Sequence, residues 1–114
     1  MNASEKLCWV YMTAVSIEEA KNIGQILVEK NLAACVNLLE NMISIYKWED
    51  KLEEDQEVVI IAKTRKSLML NLIEKVNSLH SYDCACILEL PIQGGNPDFL
   101  NWIKSETADT EESQ

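Results

Sequence analysis

The chain has 114 residues, a 47 % apolar composition and a net charge of −9, which fits one compact domain around one hydrophobic core. That charge repels phosphate backbones and argues against a nucleic-acid partner. No apolar run approaches the roughly 18 residues of a membrane span, and the start MNASEKLCWVYM lacks a basic then apolar leader. A cytoplasmic protein without a membrane partner, its four cysteines reduced, is therefore expected.

The opening LCWVYMTAV is rich in β-branched and aromatic residues and reads as a strand buried on both faces. Ser16 followed by Glu19 forms a capping box. Ala20, Ile23, Gly24, Leu27 and Val28 then recur at helical spacing, with Gly24 allowing that helix to lie close to a sheet. From Ala33 the pattern turns extended through AACVNLLENMISIYKW and resumes as KLEEDQEVVIIAKT, a long β-hairpin with Asp50 and Lys51 at its tip. Glu40-Asn41 interrupts the first arm, where a bulge or bend is expected. Arms of this length overhang a sheet of ordinary strands. A projecting hairpin carrying Tyr46 and Trp48 needs an apolar surface to pack on, which in a small protein points to contact with another subunit.

A second helix follows in SLMLNLIEKVNSLH, with Leu68, Met69, Leu72, Ile73, Val76 and Leu79 on one stripe. CACILELP reads as the last strand, ended by Pro91, and Asn96 caps a short helix with Pro97 at its first position. The order β-α-β-β-α-β is the split, ferredoxin-like α+β arrangement: an antiparallel sheet with the two long helices on one face. The other face is expected to be covered by a second subunit, since VVIIA stays apolar on both sides. The whole of 1–114 reads as a single domain with its core over about 7–105 and 106–114 as a frayed acidic tail.

The blocks VYMTA, LVEKNLAACVNLL, SIYKWEDKLEEDQEVVIIAKT, LHSYD, ELPI and GNPDFLNWI, taken in order, resemble the CutA family of divalent-cation tolerance proteins over Leu7 to about Ser105. The resemblance implies a ferredoxin-like subunit in a tight homotrimer akin to PII signalling proteins. It also implies a part in copper or other divalent-metal tolerance, and no defined reaction. Where the family commonly reads H-P-Y-E-x-P-E, this chain has His80, Ser81, Tyr82, Asp83, Cys84, Ala85 and Cys86. At the positions proposed for copper ligands stand Met12, Leu79 and His80, of which His80 matches.

The residues suited to a soft or borderline ion such as Cu(I), Cu(II) or Zn(II) are Met12, Cys35, His80, Cys84 and Cys86. Their bland reading competes at each position. His80 sits at a helix-to-strand junction where an imidazole caps carbonyls or faces a cleft, and thiols in an apolar strand most often pack as small hydrophobes. Cys84 and Cys86 are accordingly expected in a near-central strand, with at least one buried. Lys63 in an apolar strand needs an anionic partner, either Glu89 or a ligand. By resemblance, Lys63 and Thr64 border an inter-subunit cleft, and with Tyr82 nearby they form a candidate site for a small anionic ligand. No nucleophile with a paired base is visible, and Gly94-Gly95 lies past the last core strand, so the chain reads as non-enzymatic.

Overall fold

The computed structural model describes residues 5–107. Its strands are β1 (Leu7–Ala14), β2 (Cys35–Trp48), β3 (Lys51–Arg65) and β4 (Ile87–Ile92), and its helices are α1 (Ile17–Glu29), α2 (Met69–Leu79) and α3 (Pro97–Glu106). The sheet is antiparallel in the order β2-β3-β1-β4, the expected ferredoxin-like α+β architecture. One turn of 3-10 helix, Lys66–Leu68, leads into α2.

The alternation along β1 and β3 assigns the two sheet faces. Cys8, Val10, Met12 and Ala14, with Val58, Ile60 and Ala62, pack into one buried cluster with Ala20, Ile23 and Leu27 of α1 and Leu72 and Val76 of α2. At Gly24 an added Cβ would stand 3.2 Å from Val36 Cγ1, so the missing side chain sets how closely α1 approaches β2. The Ser16 hydroxyl accepts from Glu19 N at 3.1 Å, as the capping box predicts. The Glu19 carboxylate, however, returns to Val15 N, one residue before the cap.

The second face departs from expectation. It is not left entirely to another chain, because α3 covers one end of it. Ile103 and Leu100 pack on Leu7, Ala34 and Ile92, a second core separate from the first. Arg65 ties the helix down by donating to Lys104 O at 2.6 Å and Thr107 Oγ1 at 3.0 Å. Glu106 thus closes α3 and Thr107 is buried, where fraying was expected, while the acidic stretch 108–114 lies outside the described residues.

Beyond α3 the second face is open. Trp9, Leu39, Leu88 and Leu90 remain exposed on it, with Leu88 at 57 %. The hairpin adds to this surface. β3 pairs with β1 over Val58–Arg65 only, so Lys51–Glu57 and the matching part of β2 project as a two-stranded ribbon. The Cα radius of gyration is 15.0 Å, against about 13 Å for a compact chain of this length. The register shift between Leu39 and Met42 is the expected bulge, with Asn41 at φ 67°. The tip falls one residue earlier than expected: Trp48 pairs with Lys51, and Glu49 and Asp50 both take positive φ, the geometry of a two-residue type I′ turn.

Candidate functional site

The loop between α2 and β4 carries the chain's only histidine and two of its cysteines. It is held at its N-terminal end by a set of specific bonds. His80 Nε2 donates to Thr13 O at 2.7 Å, and Nδ1 accepts from Tyr82 N at 3.0 Å. This pattern selects the neutral tautomer protonated on Nε2 and commits both ring nitrogens. The imidazole thus caps the end of β1 rather than a helix, and offers no lone pair to a metal without breaking a contact. Glu19, at the start of α1, accepts from Ser81 N at 2.7 Å. Partial burial opposes ionisation of Glu19, yet the bonds from Val15 N and Ser81 hold its carboxyl below the usual range.

Tyr82 reaches across to β3, its hydroxyl donating to Glu57 Oε2 at 3.0 Å, while Ser44 of β2 donates to Glu57 Oε1 at 2.6 Å. Burial and the bond to Glu57 push the Tyr82 phenol up to about 12. On the same ribbon Tyr46 donates to Asp55, and that bond pushes the Tyr46 phenol up to about 12 as well. The sequence did not single out Ser44 or Asp55. The alternation that puts Ser44, Tyr46, Asp55 and Glu57 on one face of the hairpin was the available signal.

Cys84 and Cys86 stand outside the strand they were expected to occupy. β4 begins at Ile87 and is, among the described residues, an edge strand paired with β1 alone, so the near-central assignment is corrected. Cys84 is exposed and Cys86 half-buried, so neither is a core thiol. The physical reason is the clamp at His80–Tyr82, which keeps the chain out of the ladder until Ile87 pairs with Met12. Burial, then the charges of Glu57 and Cys84, push the Cys86 thiol up.

The remaining metal candidates lie elsewhere. Met12 is fully buried on the helix face of β1. Cys35 begins β2 opposite Lys63, at the Trp9 end of the sheet, away from His80 at the Ala14 end. Among the described residues no three His, Cys, Asp or Glu side chains converge. A single chain therefore does not assemble Met12, Cys35, His80, Cys84 and Cys86 around one point.

Lys63 takes a different partner from the one expected. Its ammonium donates to Asn37 Oδ1 and, at 3.6 Å, to Cys35 Sγ, and lies 5.9 Å from the Trp9 ring centroid. Glu89 instead pairs with Lys66 at 2.7 Å, because even and odd positions of β1 and its neighbours face opposite sides. Thr64 points to the helix face, fully buried, its hydroxyl donating to Leu32 O at 2.7 Å. Lys63 and Thr64 therefore do not share a cleft, and Tyr82 bonds near the far end of the β1-paired segment of β3, at Glu57. What Lys63 does border is a cavity of about 420 Å³ under α3, lined also by Trp9, Ile92, Asn96, Phe99 and Leu100.

The arrangement matches one family along nearly the whole chain. The family model described as CutA1 divalent ion tolerance protein covers residues 8–106. The chain belongs to the CutA1 family. It is 44 % identical over 97 residues to Protein CutA of Mus musculus, covering 85 % of this chain and 55 % of that one. It is 41 % identical over 98 residues to the divalent-cation tolerance protein CutA of Thermus thermophilus, covering 86 % and 95 %. The crystal structure of CutA1 from Oryza sativa superposes with a TM-score of 0.91 at 37 % identity, over 95 % of this chain and 99 % of that one. The chain thus spans about half the length of the mouse relative and nearly all of the bacterial one. Among the described residues no helix is long and apolar enough to cross a membrane.

Proposed function

We propose that this CutA1-family chain works as a homotrimer that binds or responds to copper or another divalent ion, without catalysing a reaction. Membership of a family named for divalent-ion tolerance carries the metal part of this reading. The assembly is supported by the open sheet face and the projecting ribbon, where Trp48 is 62 % exposed and Leu39, Leu88 and Leu90 are left exposed by the described residues. Tyr46 and Trp48 are the side chains this reading places against a neighbouring subunit. We place the protein in the cytoplasm, where its cysteines stay reduced, in keeping with four free thiols. Deletion of the gene followed by growth in graded copper, zinc and cobalt is the test. Loss of tolerance that is restored by the wild-type chain supports the reading, and unchanged tolerance to every ion overturns it.

A second reading has its own observation. The cavity beside Lys63 joins one cation to apolar walls, a composition suited to a small anion with an apolar body, bound at a face that a neighbouring subunit would close. A panel of nucleotides and carboxylates in a thermal-shift assay tests it, since a native-state binder raises stability with ln(1 + [L]/Kd).

A further inference from the structure

Cys84 is exposed and Cys86 half-buried, so neither thiol serves the hydrophobic core. We propose that the two thiols form a two-thiolate site for a soft monovalent ion, Cu(I), in the loop before β4. The inference names a site for the metal reading above and rests on that reading for its biological meaning.

Residues 81–86 belong to no helix or strand, so their backbone is not held to the extended geometry that would fix the spacing of alternate side chains. Two thiols separated by Ala85 can therefore close on one ion, with their sulfurs roughly twice a ~2.3 Å metal–thiolate bond apart. The loop is also anchored at both ends, by His80–Tyr82 on one side and by the Ile87–Met12 pairing on the other. A short anchored segment loses little conformational entropy when it closes.

The four thiols differ in reach. Cys8 is fully buried in the core, out of reach of an ion arriving from solvent. Cys35 is alone at the other end of the sheet and engaged by Lys63. Only Cys84 and Cys86 are both adjacent and reachable from solvent.

Ion choice follows from the ligand count. With His80 committed on both nitrogens and Met12 sealed in the core, the site holds two sulfurs and no third soft donor. Zn(II) in protein sites demands four ligands, and Mg(II) demands an octahedron of oxygens. Thiolates select Cu(I). Binding is a simple exchange: the two thiols release two protons and form two copper–sulfur bonds, with no change of oxidation state.

The test is anaerobic titration of the reduced full-length protein with Cu(I) against a chromophoric Cu(I) chelator. The expected result is one copper per chain with a near-ultraviolet thiolate-to-copper band. Cys84→Ser and Cys86→Ser should each lower affinity at least about tenfold, the scale already typical for loss of an outer-shell partner. Cys35→Ser should leave the affinity and the band unchanged. Either of the first two variants, folded and with wild-type affinity, overturns the site. A wild-type chain that takes up divalent ions but not Cu(I) also overturns the site and leaves the broader metal reading standing. Copper bound at the pair in a protein whose deletion changes no tolerance overturns the broader reading alone.

Discussion

Tyr82 donates to Glu57 across 25 positions of sequence, and this one bond ties the loop before the last strand to the base of the projecting hairpin. It is the contact by which the cysteine loop and the hairpin ribbon are held in register. Tyr82→Phe removes the bond and keeps the ring on His80, whose centroid lies 4.9 Å away. Because Tyr82 is 37 % exposed and its partner Glu57 keeps the bond from Ser44, the expected loss of stability is about 1 kcal/mol or less. The informative readout is thiol labelling in the native state, where Cys86 should react faster than in wild type while Cys8 stays protected. Unchanged labelling of Cys86 would show that the bond does not hold the loop.

Glu19 links two elements through Val15 N and Ser81 N, and its folded carboxyl titrates below the unfolded one. A depressed carboxyl contributes stability that is present above the unfolded pKa, near 4.3, and is lost as pH falls through the folded value. Glu19→Gln should therefore cost about 1 kcal/mol at pH 7, discounted for partial exposure, with a difference from wild type that shrinks below about pH 4. Urea denaturation of both proteins from pH 7 down to pH 3 measures it. A constant difference across that range would mean that the charge is not what matters.

Gly24 faces Val36 at a distance that leaves no room for a branched side chain. Helix propensity favours Gly24→Ala by up to about 1 kcal/mol, and the 3.2 Å approach opposes it, so the net change should lie within roughly 1 kcal/mol of zero. Gly24→Val has no such offset and should destabilise by about 1–3 kcal/mol through overpacking against β2. Thermal denaturation of the pair of variants decides between propensity and packing.

Glu49 and Asp50 carry side chains in the left-handed region, where glycine has no steric penalty. Asp50→Gly suits the type I′ turn and should stabilise the hairpin by a few tenths to about 1 kcal/mol. If the ribbon tip is packed against a neighbouring subunit, the gain will appear in the unfolding midpoint of the assembled protein. A loss of stability would show that the Asp50 side chain makes contacts worth more than the turn.

The open sheet face predicts association. Wild-type protein should sediment with the mass of three chains, and Leu88→Glu combined with Leu90→Glu should shift it towards the monomer, because two charges would be buried without partners. A wild-type monomer at micromolar concentration would remove the assembly from the proposal.

How much of this was legible in the sequence depends on the range of the interactions involved. The elements and their order were readable from Leu7 onwards, because period-two and period-3.6 patterns, the Ser16 cap and the Asn96-Pro97 start are local signals. The bulge at Glu40-Asn41 was readable for the same reason. Tertiary structure alone decided who meets whom. Lys63 finds Asn37 and Cys35 instead of Glu89 because its side of β3 faces away from Glu89, and a strand's faces have no polarity until the helices choose one. The same choice sends Thr64 into the core. Cys84 and Cys86 look like strand residues in a window of apolar neighbours. They are excluded from the ladder by bonds that Thr13, Glu19 and Glu57 make with the preceding loop from 25 to 67 positions away, a constraint no local pattern encodes.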